Sequence, residues 1–254
     1  MTHYPIVTVT QNDSGYINPL LLVKLVSGMK ITVKLGGFLF ATNLDTGRVK
    51  VFAEVIKKLH LEGHRLVVVS GGGENARRYV EAARKLGAAE SICDQIGIYV
   101  SRLNARLLIS ALGGEAFPEV PGNIEELNCS LNSDRIIVLG GLQPGHSTNA
   151  VAAIAAETFR ANLMVNVSDV SGVYTEDPKK SREAKLLKEV SARRLLEMAV
   201  SNRIYAGSYE LADPVAIAVM LRSRIPTWFI SGDDPTNIEK VVKGEHVGTE
   251  VIYE

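Results

Sequence analysis

The 254-residue chain carries 28 basic and 28 acidic side chains, so its formal net charge is zero. This balance excludes a strong overall positive field, so we expect neither nucleic acid nor a membrane as partner, and any anion site has to be local. Hydrophobic residues make up 46% of the chain and charged residues 22%, as in folded globular proteins rather than disordered or fibrous ones. A chain of this length commonly forms one α/β domain.

The sequence contains two cysteines, Cys93 and Cys129, and neither has a Cys or His neighbour at the spacing of a zinc site or a disulfide framework. We predict no metal held by the protein and interpret both residues as buried thiols in a reducing cytoplasm. The apolar run at 20–26 contains Lys24 and lacks a basic flank, so it is predicted to be neither a signal peptide nor a membrane span.

Residues 1–28 differ in pattern from the rest of the chain. The alternating segment 6–10, the turn-like segment 11–15 and the apolar segment 17–26 together are typical of a β-ribbon. A second interpretation, which the pattern favours equally, is that Met29 is an ancestral start and residues 1–28 are an N-terminal extension of unknown role. The sequence leaves both interpretations open.

From Met29 onward, apolar runs rich in β-branched residues alternate with helical patterns, which predicts an α/β fold with a parallel sheet between helices. The glycine- and proline-bearing stretch 113–122 is predicted to carry a lid or a subunit contact rather than a domain linker. The predicted strands are 31–35, 66–70, 136–139, 163–167, 228–230 and 251–253. The predicted helices are 50–60, 75–86, 96–112, 149–159, 192–200, 214–223 and 237–243.

Four predicted strands end in glycine-bearing loops: the first (33–37), the second (70–73), the third (140–148) and the fourth (166–180). In an open parallel sheet, ligands bind outside the carboxyl ends of the strands, where helix N-termini offer unpaired N–H groups to phosphates. In the first loop, Lys34 precedes two glycines and could neutralise charge on a transferring phosphoryl group. The alternative is an ordinary lysine at a strand end before a turn.

The second loop leads into a helix that carries Arg77 and Arg78 in or near its first turn. The helix dipole disfavours cations there by roughly 0.3–1 kcal/mol each, and a bound anion would remove that conflict. Alternatively, Arg78 pairs with Glu74 and Arg77 with Glu81 on the helix surface, each pair contributing roughly 0.2–0.5 kcal/mol. The arginines alone do not decide between these interpretations.

The third loop ends in Ser147 and Thr148, either of which is a suitable N-cap for the helix that follows. Within this loop, His146 is interpreted as a binding residue rather than as an acid or base. In the fourth loop, Asp169 could orient a lysine or hold Mg²⁺, and Tyr174 could stack on a base, although an ordinary turn is the alternative. None of the loops is a Walker A, protein-kinase or Rossmann glycine motif, so their combination is the signal.

Taken together and in this order, the loops resemble those of the amino acid kinase family and, within it, the archaeal-type uridylate (UMP) kinases. The resemblance runs from Met29 to the C-terminus and is most specific at 70–79, 140–153, 168–180, 206–217 and 244–249. It implies a three-layer αβα sandwich spanning 29–254, with UMP bound by roughly 29–160 and ATP by roughly 161–254. It also implies a cytoplasmic homo-hexamer, built as a trimer of dimers, that makes UDP and ADP from UMP and Mg·ATP in pyrimidine nucleotide biosynthesis.

The resemblance also implies roles for individual residues. Lys34 is implied to be catalytic, and so is Asp169, which matches the position that organises the catalytic lysines in related members. The positions implied to bind ATP are Gly36, Gly37, Gly72, Arg77, Ser168, Tyr174 and Asp177. The positions implied to bind UMP are Gly71, Asp94, Leu142, Gln143, Pro144, Gly145, His146, Ser147 and Thr148.

Two residues depart from the family pattern. Phe38 follows the paired glycines where the family often has a serine, so a hydroxyl directed at phosphate is missing. Ser171 replaces an acid, in a form that also occurs in acetylglutamate kinases, so another small-anion acceptor remains an alternative to UMP. The alternative from a different class is a non-catalytic nucleotide- or oxyanion-binding protein on the same fold, which the presence of Lys34, Asp169 and the full third loop disfavours.

Overall fold

A computed structural model describes residues 28–202 and 213–253, which fold around a single mixed sheet. The strands follow the order β3-β2-β1-β4-β6-β7-β5, and every neighbouring pair is parallel except β6 and β7. The predicted mainly parallel sheet is therefore confirmed. The strands are β1 (Lys30–Leu35), β2 (Arg65–Ser70), β3 (Ile137–Leu139), β4 (Leu163–Ser168), β5 (Glu189–Ser191), β6 (Thr227–Ser231) and β7 (Thr249–Ile252).

Helices cover both faces of this sheet, which makes the three layers of the expected αβα sandwich. Side chains of β2 alternate between the two faces: Leu66 and Val68 belong to one buried cluster, and Val67 and Val69 belong to the other. The helices are α1 (Thr46–Leu61), α2 (Gly73–Lys85), α3 (Glu90–Leu112), α4 (Ile124–Ser130), α5 (Thr148–Phe159), α6 (Ala192–Asn202), α7 (Pro214–Ser223) and α8 (Asn237–Val242). Single turns of 3-10 helix lie at Gly37–Phe40 and Gly113–Glu115.

Helix α5 packs against the centre of the sheet because most of its buried side chains are alanines, among them Ala152, Ala155 and Ala156. Small side chains allow close approach, which brings the N-terminus of α5 near the carboxyl ends of the central strands. On the opposite face, α1 and α3 contribute Phe52 and Leu108 to the other buried cluster. Across the described ranges, no helix combines the length and apolarity that a bilayer span requires.

Several sequence predictions differ from the observed elements. Helix α3 begins at Glu90, six residues before the predicted start at 96. The pattern did not predict this start because residues 90–95 are mostly polar and carry no apolar periodicity. Helix α4 and strand β5 were not predicted, since both are too short for a periodic pattern. Cys93 is buried as predicted, but Cys129 is exposed on α4, so the prediction of two buried thiols is wrong for Cys129.

Two predictions fall wholly or mostly outside the described residues. The ribbon predicted within 1–28 lies outside them, and so does most of the stretch 206–217 that supports the family resemblance. The segment 113–122 is described, and Arg106 on α3 binds it through Pro118 O at 2.7 Å and Glu119 Oε2 at 2.6 Å. Its predicted part in a lid or a subunit contact stays a prediction.

Candidate active site

Lys34 lies near the carboxyl end of β1 and is only 8% exposed. Because Val33 and Leu35 belong to the cluster under α1 and α3, Lys34 points to the opposite face, which α5 covers. Burial lowers the pKa of the Lys34 ammonium to about 8, and the nearby negative charge of Asp169 partly opposes that shift. A buried lysine with so little compensation is typical of a functional site rather than of an ordinary strand end.

The first and second loops touch each other through glycine backbone. A Cβ on Gly37 would lie 2.6 Å from Gly73 N, and a Cβ on Gly71 would lie 2.7 Å from Gly37 N. Gly73 also adopts a φ of +70°, a left-handed conformation that glycine reaches without strain. This contact holds the backbone that follows β1 against the N-terminus of α2, beside Lys34.

Asp169 lies directly after β4 and forms an ion pair with Lys179. Partial burial raises the pKa of Asp169, but the hydrogen bond and charge of Lys179, together with the charge of Arg77, outweigh it and leave the pKa below its ordinary value. The charge of Asp169 also acts on Lys34. One carboxylate therefore lies among three cations, an arrangement with excess positive charge that suits phosphate groups.

Arg77 and Arg78 line a cleft of about 450 Å³ next to Gly37 and Phe38. Of the two surface pairs considered from the sequence, Glu74–Arg78 forms at 2.9 Å, whereas Glu81 binds Lys85 at 2.7 Å. The charge of Arg77 instead acts on Asp169. Arg77 thus lines the cleft and acts on Asp169, and its predicted binding of an anion stays a prediction.

Phe38, the departure from the family pattern, packs as an apolar anchor. Its ring meets Phe52 edge to face at a centroid distance of 6.0 Å, and the Arg48 guanidinium lies 5.0 Å from the ring centroid. A Cβ on Gly232, in the turn after β6, would collide with this ring. Phe38 thus joins the first loop to the turn after β6 by packing, where a serine would offer a hydroxyl.

At the end of the third loop, the caps of two helices are hydrogen-bonded to each other. Ser147 is the N-cap of α5, and its Oγ accepts hydrogen bonds from Asn149 N at 3.0 Å and Ala150 N at 3.1 Å. The same hydroxyl donates to Asp213, whose other oxygen caps α7 by accepting from Val215 N at 2.9 Å. The N-termini of α5 and α7 therefore lie side by side, and the Asp213 carboxylate is stabilised by the partial positive charge at the start of α7.

Replacing Ser147 with alanine is expected to lower the free energy of unfolding by about 1–2 kcal/mol, because the cap of α5 and the bond to Asp213 are both lost. Denaturant unfolding measures this difference. Ser110→Ala is the matched control, since the Ser110 hydroxyl binds only within its own exposed helix turn at Arg106 O. An equal, small effect of both substitutions would contradict the capping role of Ser147.

Asp94, whose role in the site only the resemblance implied, contacts the third loop. It lies on α3, and its Oδ2 accepts a hydrogen bond from Gly145 N at 2.9 Å. Within the loop, Gln143 and His146 lie 3.3 Å apart through their side-chain nitrogens, while Leu142 is half-buried against the cluster on the α5 side. Asp94 thus contacts the loop that carries Gln143, Gly145 and His146, and the UMP-binding role of these residues stays a prediction.

The fourth loop has mostly local contacts. The Ser168 hydroxyl donates to Val170 O at 3.0 Å, and Asp177 Oδ1 accepts from Lys179 N at 2.9 Å. Tyr174 is half-buried and forms an isolated β-bridge with Leu186. The ATP-binding roles of Ser168, Tyr174 and Asp177 therefore rest on the resemblance.

Beside Lys34 lies a buried amide pair that the sequence analysis missed. Asn166 on β4 is the register partner of Lys34 and is fully buried, and its Nδ2 donates to Asn149 Oδ1 at 3.1 Å. Within the described ranges, Asn166 Oδ1 and Thr32 Oγ1 have no hydrogen-bond partner. These uncharged acceptors lie on the same face of the sheet as the ammonium, where a cation or a bound water can satisfy them.

The geometry and the comparisons with known proteins agree. The amino acid kinase family model matches residues 29–231, and the chain belongs to that family. The chain is similar to the uridylate kinase of Methanobrevibacter smithii, at 43% identity over 224 residues that cover 88% of this chain and 99% of the relative. It is also similar to the uridylate kinase of Hyperthermus butylicus, at 48% identity over 206 residues that cover 80% and 89% of the two chains.

Solved structures show the same likeness. Uridylate kinase from Archaeoglobus fulgidus matches with a TM-score of 0.79 at 38% identity, covering 88% of this chain and 100% of that chain. UMP kinase from Ureaplasma parvum matches with a TM-score of 0.73 at 20% identity, covering 89% and 99%, which shows the shared fold. The family resemblance inferred from the four loops is confirmed.

Proposed function

We propose that this protein is a UMP kinase, which transfers the γ-phosphoryl group of ATP to UMP and releases UDP and ADP. The observation that carries the proposal is the buried ammonium of Lys34 at the point where the loops after β1, β2 and β4 meet. The uridylate kinases of Methanobrevibacter smithii and Hyperthermus butylicus, similar over most of the chain, support UMP as the acceptor.

The chemistry suits the side chains that surround Lys34. A phosphate oxygen of UMP is already anionic near neutral pH, so the acceptor needs no general base to become a nucleophile. Catalysis then depends on in-line positioning and on neutralising the charge of the transferring group. Lys34 supplies a positive charge whose pKa of about 8 leaves it mostly protonated at pH 7, and a bound phosphate favours the charged form further.

The two substrates are proposed to occupy the two halves of the sheet edge. UMP contacts Gly71, Asp94 and residues 142–148, on the half formed by 29–160. ATP contacts the glycines that follow Lys34, together with Gly72, Arg77, Ser168, Tyr174 and Asp177, and reaches into 161–254. In support, the charge of Arg77, in the first half, acts on Asp169, in the second half.

Mg²⁺ is proposed to enter with ATP. Within residues 28–202 and 213–253, no group of three or more His, Cys, Asp or Glu side chains is arranged to hold a metal ion. Kinase sites typically bind Mg²⁺ through one or two carboxylates, waters and the substrate phosphates, and Asp169 fits such a limited contribution. When bound, Mg²⁺ would neutralise charge on the ATP phosphates.

The remaining proposals rest on the resemblance to archaeal-type uridylate kinases. We propose a homo-hexamer arranged as a trimer of dimers, located in the cytoplasm and serving pyrimidine nucleotide biosynthesis. Light scattering of the purified protein after size-exclusion chromatography tests the oligomer, with a mass close to six times 27.5 kDa expected.

A coupled ADP-release assay tests the activity. ADP release is expected to depend on UMP and to be slower with CMP, dUMP, acetylglutamate, carbamate or isopentenyl phosphate at equal concentration. A clear preference for one of the other small anions would replace UMP as the acceptor. Binding of ATP and UMP by calorimetry without any UMP-dependent ADP release would contradict the kinase proposal and favour a nucleotide-binding protein.

A further inference from the structure

Polar side chains of helix α3 form hydrogen bonds with the main chain of the second and third loops. Asn104 Nδ2 donates to Gly71 O at 2.8 Å and to Gly72 O at 3.2 Å, in the second loop. Ser101 Oγ accepts from Gly141 N at 2.8 Å, at the start of the third loop. Ser101 and Asn104 lie three positions apart on one face of the helix, so α3 fixes the two loops relative to each other.

Arg102 makes the most extensive of these contacts. Its Nε donates to Gly141 O at 2.8 Å, and its Nη2 donates to Leu142 O at 3.1 Å and to Gly122 O at 2.8 Å. Gly122 N in turn donates to Glu126 Oε2 at 2.7 Å, on α4. One half-buried guanidinium therefore joins the third loop to the turn before α4.

Arginine suits these contacts better than lysine does. A planar guanidinium offers five donors in a fixed fork, whereas an ammonium is a compact charge that cannot reach three carbonyl oxygens with the same geometry. The backbone also passes closely, since a Cβ on Gly140 would lie 2.6 Å from Arg102 N. Beyond Leu142 the loop is solvent-exposed from Gln143 to Gly145, so its conformation depends on how its base is held.

We propose that Arg102 is a positioning residue for nucleoside monophosphate binding: it holds Gly141 and Leu142 so that residues 143–148 are preorganised for the acceptor. The inference rests on the proposed function, because it assigns the third loop to the acceptor. Without the guanidinium, the carbonyl oxygens at the base of the loop lose their donors and the loop gains conformations. Binding of the acceptor then costs the conformational entropy of ordering the loop again, which weakens the affinity.

The test compares Arg102→Met and Arg102→Lys with the control Arg106→Met. Arg106 lies one turn further along α3 and binds Pro118 and Glu119, but not the third loop. Hydrogen bonds to charged groups contribute enough that Arg102→Met is expected to raise the KM for UMP roughly 10–100-fold. The KM for ATP is expected to stay within about threefold of the parent value, and Arg102→Lys to recover part of the loss.

Hydrogen exchange of the nucleotide-free protein separates this inference from the proposed function. Backbone amides of 140–146 are expected to exchange faster in Arg102→Met than in Arg106→Met, whether or not the parent protein phosphorylates UMP. If the parent shows no activity with UMP, the proposed function fails, while the exchange still decides whether Arg102 positions the loop. Equal exchange in the two variants, or an equal rise in KM for both substrates, would overturn the inference.

Discussion

Replacing Lys34 with methionine is expected to lower kcat by roughly 10²–10³-fold and to change the KM for UMP little. In the proposed mechanism the ammonium neutralises charge that develops on the transferring phosphoryl group, so its loss would affect the transition state more than the bound substrate. Steady-state kinetics with UMP and ATP measures the split between kcat and KM. Lys30→Met is the matched control on the same strand, where Lys30 Nζ lies 5.4 Å from the Phe159 ring centroid. An unchanged kcat in Lys34→Met would remove Lys34 from the mechanism.

The same Lys34→Met variant is expected to be more stable than the parent protein. Burial lowers the pKa of Lys34 from 10.5 to about 8. A shift of that size corresponds to a penalty of about 3 kcal/mol for keeping the charge in the folded state at pH 7. Between pH 8 and 10.5 the unfolded parent binds more protons than the folded parent, so parent stability rises with pH and the advantage of the variant shrinks. Denaturant unfolding at pH 7 and pH 9.5 measures this trend, and a less stable variant at pH 7 would contradict the buried-charge account.

Replacing Gly37 with alanine is expected to reduce both stability and turnover. The new Cβ would lie 2.6 Å from Gly73 N, a backbone atom that can move only if the first and second loops separate. We expect a loss of about 2–3 kcal/mol in the free energy of unfolding, as for other overpacked sites. Because the proposed mechanism assigns the positioning of the reacting groups to these loops, kcat is expected to fall by roughly 10²-fold.

Gly114→Ala is the control for that substitution, because a Cβ on Gly114 meets nothing within 4 Å. Unfolding curves and kcat values of the two variants are compared at the same pH and temperature. If Gly37→Ala resembles Gly114→Ala in both measurements, the close contact between the two loops is not required for activity.

The fold could be predicted because the central strands are buried on both faces. In β1 and β2, five of six residues are buried in each case, and in β2 this burial is matched by the continuous apolar run 66–69, which marks a parallel sheet between helices. The short elements β5 and α4 lacked enough residues to show a period. The start of α3 was missed because its first turns face solvent on most sides, and only Cys93 among them is buried.

The sequence predicted those parts of the candidate site that lie next to a strand end in the chain. Lys34 and the glycines that follow it adjoin a strand end, and Asp169 follows another, so sequence position alone indicated the sheet edge. Arg102 and Lys179 could not be found in this way. Arg102 binds residues 39 and 40 positions away, and Lys179 lies ten positions from Asp169 in a turn without periodic structure.

Asn104 did carry a signal in the sequence. It lies on the buried face of α3 with Ala105 and Leu108, where Ser101 is the other polar residue, and a polar side chain there has to find a partner. Its partners are the carbonyl oxygens of the second loop. The position of the partners, 32 and 33 residues earlier, could come only from the folded chain.

The attachment of two loops to α3 restricts how this protein could acquire a new acceptor during evolution. A substitution that shifts α3 displaces the backbone of Gly71 and of Gly141 together. A change that improves the fit of a new acceptor at one loop therefore also moves the other loop from its present position. Substitutions in the exposed segment from Gln143 to Gly145 would change the proposed acceptor site without displacing Gly71. Lineages that change substrate are therefore expected to vary first in this segment, while Ser101, Arg102 and Asn104 are retained.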